Sequence, residues 1–152
     1  MNVLTLDVET THKKKESGGT TALPYFGNTL VSIGYKWLGE DEVGYDFVSH
    51  SDNRAFVEDG WFETMQDTLS SADVIVGQNF KFDLTWLRAC GFTYDGHVYD
   101  TMVAEYILAK ARRWSLSLDS LAKRYGVTQK EKDLVAPYLK DGKTFYDIPY
   151  EI

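Results

Sequence analysis

Apolar positions in this chain fall in short alternating or β-branched runs, interrupted by stretches of helical periodicity. Val3 to Leu6 leads into Asp7-Val8-Glu9-Thr10 and predicts a first strand ending at the Asp7/Glu9 pair. Thr11 to Asn28, rich in Lys, Gly, Ser and Thr, predicts a long loop of the kind that is functional or disordered. Leu30 to Leu38 and Val43 to Ser49 alternate on either side of Gly39-Glu40-Asp41-Glu42, the pattern of a hairpin. Ser51 or Asp52 should then cap a helix that turns Phe56, Phe62, Met65 and Leu69 inward. Val74-Ile75-Val76 predicts a buried strand, Gly77 a turn, and Phe80 to Cys90 a helix. Val98-Tyr99 reads as a last short strand before Asp100 caps the next helix. Leu116, Leu118, Leu121, Ala122 and Tyr125 form an apolar helix face closed by Gly126, and Lys130 to Phe145 reads as irregular. Three antiparallel strands followed by strand–helix units predict an α/β fold, a mixed β-sheet flanked by helices.

The acidic residues add chemistry to that outline. Side chains alternate along a strand, so Asp7 and Glu9 project from one face. Two adjacent carboxylates at a strand end repel one another unless a cation lies between them, and a divalent metal is the usual solution. A solvated strand end before a polar loop is the plainer alternative. Asn79 and Asp83 are four residues apart, so on a helix they stack on one face. Phe82, Trp86 and Leu87 on the neighbouring face would pack that helix on the sheet and aim Asp83 at its open end. Alternatively, Asn79 caps the helix and Asp83 interacts with its positive end.

Asp7-Val8-Glu9-Thr10, followed by Gly77-Gln78-Asn79-Phe80-Lys81-Phe82-Asp83, resembles the DEDD family of 3′–5′ exonucleases. Within it, the likeness is greatest to the proofreading domains of phage and bacterial family A DNA polymerases. Tyr99 to Leu108 and Ser115 to Gly126 resemble the two helices that follow in those domains. The resemblance implies a ribonuclease-H-like fold and hydrolysis of phosphodiesters by two Mg²⁺ or Mn²⁺ ions. Roughly 4 Å apart, such ions clamp the attacking and leaving oxygens of an in-line displacement. It further implies that Asp7 bridges the metals, Glu9 holds the one that activates water, and Asp83 helps hold the other. Asn79 and the backbone at Thr10 become contacts to the terminal nucleotide. The implied partners are a single-stranded DNA 3′ end and a covalently linked polymerase domain downstream, in a bacterial or phage-infected cytoplasm. An exoribonuclease of the same fold is the nearest alternative, and a catalytically silent nucleic-acid-binding scaffold the other.

The resemblance is incomplete in one respect. The family's third motif, Tyr-x-x-x-Asp or His-x-x-x-x-x-Asp, has no counterpart downstream of Asp83. Asp147-Ile148-Pro149 reads as a helix start, so residues 1–152 are expected to form one exonuclease-like domain cut just before that helix. Asp100 is the obvious substitute carboxylate, but it reads first as a helix cap and second as an outer-shell group near the metals.

Composition narrows the reading further. A 43% hydrophobic content with 22 Phe, Tyr and Trp residues excludes a disordered tail. The single cysteine, Cys90, excludes an internal disulfide framework and is expected on the buried side of its helix. No signal-peptide pattern or membrane-length apolar run is present. The net charge of −7 argues against a general nucleic-acid coat but not against a nuclease, which concentrates carboxylates at its site. Lys13-Lys14-Lys15 and Lys110 to Arg113 are the positive clusters, each a solvated loop or a phosphate contact.

Overall fold

The computed structural model describes residues 1–50, 57–110, 112–128 and 134–149. Its centre is β1 (Val3–Thr10), whose even-numbered residues Leu4, Leu6 and Val8 are buried. β1 pairs antiparallel with β4 (Leu30–Trp37), which pairs antiparallel with β5 (Gly44–Phe47). On its other side β1 runs parallel to β6 (Val74–Gly77), which runs parallel to β7 (His97–Asp100). The resulting five-stranded mixed sheet has the order β5-β4-β1-β6-β7. This is the expected α/β arrangement, and the β4–β5 hairpin forms where alternation predicts it.

Helices α1 (Trp61–Ser70) and α2 (Lys81–Ala89) supply Met65, Leu69, Trp86 and Leu87 to the core beneath Leu4, Leu6 and Val8. α1 starts at Trp61, after Gly60 in the left-handed region (φ 85°). The anticipated caps Ser51 and Asp52, and Phe56 with them, lie outside the described residues. Phe62 does not turn inward as expected: it stays 39% exposed and stacks on Phe92, centroids 4.5 Å apart. Cys90 is also exposed, because α2 has ended at Ala89 and Phe92 takes the buried position instead.

The loop expected over Thr11–Asn28 is more ordered than its composition suggests. β2 (Lys13–Lys14) and β3 (Thr20–Thr21) form a small antiparallel hairpin within it. The Asn28 amide donates to the carbonyls of Thr21 and Leu23, and the Trp86 indole N–H donates to that of Ala22 (2.9 Å). Backbone satisfaction from side chains thus replaces a hydrophobic core here.

Past the sheet come α3 (Thr101–Leu108) and α4 (Leu118–Tyr125), the latter closed by Gly126 in the left-handed region. Of the apolar face predicted for α4, only Leu121 and Ala122 are buried; Leu118 and Tyr125 are exposed. A short α5 (Ala136–Lys140) lies in the segment expected to be irregular. Asp147 does not open a helix. It accepts from the Thr144 backbone N–H and hydroxyl (both 3.0 Å), closing a 3-10 turn over Phe145–Asp147. The chain then becomes extended at Ile148, which is buried and whose carbonyl lies 2.7 Å from His50 Nε2.

Asp100 caps α3 as predicted and does more besides. Its carboxylate accepts from Met102 N (2.8 Å) and Val103 N (3.3 Å), and also from Asn79 N (3.1 Å) and Phe80 N (2.8 Å). One side chain therefore holds both the first turn of α3 and the entry to α2. Replacing a helix cap costs about 1 kcal/mol, and this one serves two termini. We expect Asp100→Ala to lower stability by about 2–3 kcal/mol and Asp100→Asn by less, read as shifts in urea midpoint.

Candidate active site

β1 is longer than its parallel neighbour, and the site lies where the two part. Pairing with β6 covers only Val3 to Thr5, so the β6-side edge of β1 is left over from there on. α2 fills that edge: Val8 N–H donates to Asp83 Oδ1 at 3.0 Å. Asp83 is 2% exposed, in the first turn of α2. Its carboxylate is bound to the peptide that joins Asp7 to Val8, while Asp7 and Glu9 project from the sheet face opposite Leu6 and Val8. Asp7 is exposed and Glu9 half-buried.

Three acidic side chains from a strand and a helix are thus gathered around one stretch of backbone. Burial pushes Asp83 up to about 7; the Val8 N–H opposes that shift, and the charges of Asp7 and Asp100 add to it. The carboxyl of Asp83 is therefore in electrostatic contact with Asp7. Among the described residues, no three His, Cys, Asp or Glu side chains converge closely enough to enclose an ion. What Asp7, Glu9 and Asp83 offer is an open, all-oxygen edge. Mg²⁺ is commonly held in that manner, by one or two carboxylates with water and phosphate oxygens completing its shell.

Asn79 differs from its expected position. It precedes α2 rather than stacking on it with Asp83, and it adopts the left-handed conformation (φ 56°), which Asn tolerates better than most residues. The turn around it is forced by packing. Phe80 is fully buried against Gly77, where an added Cβ would lie 2.0 Å from the ring. Phe80 is accordingly a core residue and no stacking platform, and Phe82 packs partly buried against the same core. Asn79 is held by its backbone N–H on Asp100. Thr10 is buried at the end of β1, opposite Leu30. Between Glu9 and Thr10 the β1–β4 register shifts past Val31, a bulge beside the acidic pair.

One neighbour of the carboxylates escaped the sequence reading. Asp7, Gly34 and Tyr45 form a row across β1, β4 and β5, and Glu9, Ser32 and Phe47 form the next. The Tyr45 hydroxyl lies 2.8 Å from Ser32 Oγ. Burial raises the phenol above its ordinary value, the Ser32 bond opposes this, and the charges of Glu9 and Asp7 raise it further. Extending the hairpin register from the Gly39–Glu42 turn would have placed Tyr45 there. Of the positive clusters, Lys13 and Lys14 are exposed on β2, and Arg112 sits 5.0 Å from the Trp114 ring centroid.

A folded-state Asp83 that titrates near 7, against about 3.9 unfolded, binds its proton more tightly in the native state. Its contribution to stability is full below about pH 4 and is lost as pH rises through about 7. In metal-free buffer we expect wild-type stability to fall across that window relative to Asp83→Asn, by on the order of 2–4 kcal/mol. Paired urea denaturations at pH 4.5 and 8 test this, and parallel pH profiles for the two proteins would refute it.

Comparison with known proteins bears on what such an edge is for. A family described as 3′-5′ exonuclease matches residues 1–144 of this chain. Over 107 residues, 70% of the chain, it is 27% identical to DNA polymerase I of Borreliella burgdorferi. The match spans 11% of that protein's length.

Proposed function

This chain belongs to the 3′-5′ exonuclease family, and we propose that it shortens nucleic acid from the 3′ end by metal-dependent hydrolysis of the terminal phosphodiester. The observation carrying this reading is the hydrogen bond from Val8 N–H to Asp83, which ties a third carboxylate to the backbone between Asp7 and Glu9. An all-oxygen edge of that charge suits hard divalent ions. Bound there, Mg²⁺ or Mn²⁺ would polarise the phosphate, lower the pKa of water and neutralise the leaving oxygen.

The residues of the chain would then act as follows. Asp7, exposed at the centre of the edge, would face both ion positions, with Glu9 beside it on the strand and Asp83 behind it on α2. A cation there would offset the burial that, with the charges of Asp7 and Asp100, pushes Asp83 up to about 7, and would favour its ionised form at neutral pH. The left-handed turn would present the Asn79 side chain to the terminal nucleotide, and the Thr10 backbone would contact its sugar. The polymerase relative supports DNA as the substrate, a covalently linked polymerase domain as the partner and a cytoplasmic setting. Among the described residues no helix is long and apolar enough to cross a membrane.

Neither Tyr-x-x-x-Asp nor His-x-x-x-x-x-Asp occurs after Asp83 within residues 1–152, so these residues alone should cleave slowly. Metal binding is therefore the more direct test. We expect wild-type protein to bind Mn²⁺ by electron paramagnetic resonance titration and to shorten a 5′-labelled single-stranded oligonucleotide from its 3′ end. Asp7→Ala and Asp83→Ala should each weaken Mn²⁺ binding at least tenfold and abolish shortening, and chelation should do the same to wild type. Unchanged DNA affinity in both variants, with no Mn²⁺ bound by any of the three proteins, would instead mark a silent binding module.

A further inference from the structure

The β5 edge of the sheet carries a feature that metal chemistry does not use. Tyr45 lies in the same cross-strand row as Asp7, with Gly34 between them. Because Gly34 has no side chain, the Tyr45 ring can lean over β4: a Cβ there would sit 3.3 Å from Cδ2 and 3.5 Å from Cε2. Adjacent strands are about 4.8 Å apart, so a ring over β4 stands one strand spacing from the Asp7 row. Two neighbours hold it there. Phe47 meets it edge-on, centroids 4.9 Å apart at 76°, and Ser32 Oγ bonds its hydroxyl. Tyr45 nevertheless stays 50% exposed. Burial raises its phenol most, and the charges of Glu9 and Asp7 add to that rise, in keeping with this closeness.

An aromatic ring clamped at its hydroxyl and one edge, but open elsewhere, has lost its rotamer freedom before any ligand arrives. That preorganisation is what a stacking platform requires. Of the two motif aromatics, Phe80 is fully buried, and Phe82 packs partly buried against the core. We propose that Tyr45 contacts the substrate directly, its ring stacking with the base of the 3′-terminal nucleotide while that nucleotide's phosphate lies at the Asp7/Glu9 edge. The proposal rests on the exonuclease reading above and adds to it the residue that grips the base. Stacking is tolerant of sequence, because every base has a π face. Tyr45 would thus supply affinity without selecting among bases, as an enzyme trimming arbitrary ends requires.

A thermodynamic cycle between protein and DNA tests this. The 152-residue chain is titrated in Ca²⁺ against a 5′-fluorescein oligodeoxythymidylate, with either a normal or an abasic 3′-terminal nucleotide, by fluorescence anisotropy. Tyr45→Ala should weaken binding of the normal strand about tenfold, and the abasic end should weaken binding to wild type by a similar factor. Together they should cost little more than either alone, since both remove the same contact. Tyr45→Phe keeps the ring and should bind within about twofold of wild type, which separates stacking from any fault in folding. Independent, multiplying losses for Tyr45→Ala and the abasic end would overturn the proposal, as would undiminished affinity in Tyr45→Ala. Either result leaves the exonuclease reading intact provided wild type still prefers a linear strand to a circular one. Equal affinity of wild type for linear and circular strands would remove that reading, and this proposal with it.

Discussion

Everything at the acidic edge depends on a mismatch in strand length. β6 pairs with β1 only through Val76, while β1 runs on to Thr10. The backbone donor at Val8 therefore needs a partner that no strand supplies, and an unmet buried donor costs about 1–3 kcal/mol. Asp83 satisfies it from α2. The carboxylate that completes the edge of β1 is also the third acid beside Asp7 and Glu9. Its burial makes it hard to ionise, and the Val8 N–H that finishes the fold opposes that shift only in part.

Asp100 is the counterpart on the other side of the turn. It stands at the end of β7, beside Gly77 in the β6–β7 register, and its carboxylate binds four backbone N–H groups. The Gly77–Phe80 turn is thereby held between two constraints, the Phe80 ring packed on Gly77 and the Asp100 carboxylate on the Asn79 and Phe80 amides. The direction in which α2 leaves the sheet, and with it the position of Asp83, is set by that pair. Asp100 thus serves the site as a support and is not an obvious replacement for a missing fourth acid, because its oxygens are already engaged by backbone donors.

The parts of this arrangement legible in the sequence are those governed by a local period. Strand alternation places Asp7 and Glu9 on one face, and the β-branched run before Gly77 locates β6. Asp100 is recognisable as a cap because capping is a property of neighbours in sequence. Asn79 was misplaced because periodicity cannot register one residue entering the left-handed region and delaying the helix by two positions. Cys90 and Phe62 are exposed for tertiary reasons that periodicity does not carry: Phe92 fills the core beside them and Phe62 stacks on its outer side. Asp147 is claimed for a tight turn by Thr144, three residues earlier, and residues 150–152 of the expected helix lie outside the described residues. Tyr45 was invisible since its meaning lies in cross-strand register over Gly34, a non-local property.

The electrostatics explain why an aromatic contact belongs beside this edge. A chain of net charge −7 that gathers carboxylates at one point repels a phosphate backbone, and basic residues placed there would compete with metal ions for the same acids. Two described arginines are engaged elsewhere: Arg124 pairs with buried Glu105, and Arg112 lies over Trp114. On the proposed reading, grip on a nucleic-acid end would draw on interactions that carry no formal charge. A stacked base would supply one, a hydrogen-bonding amide such as that proposed for Asn79 another, and the phosphate itself would bind through divalent ions that reverse the local sign. On this reading the stacking contact would come from β5 and the ionic contacts to the phosphate from β1, two strands of one sheet held in register by β4.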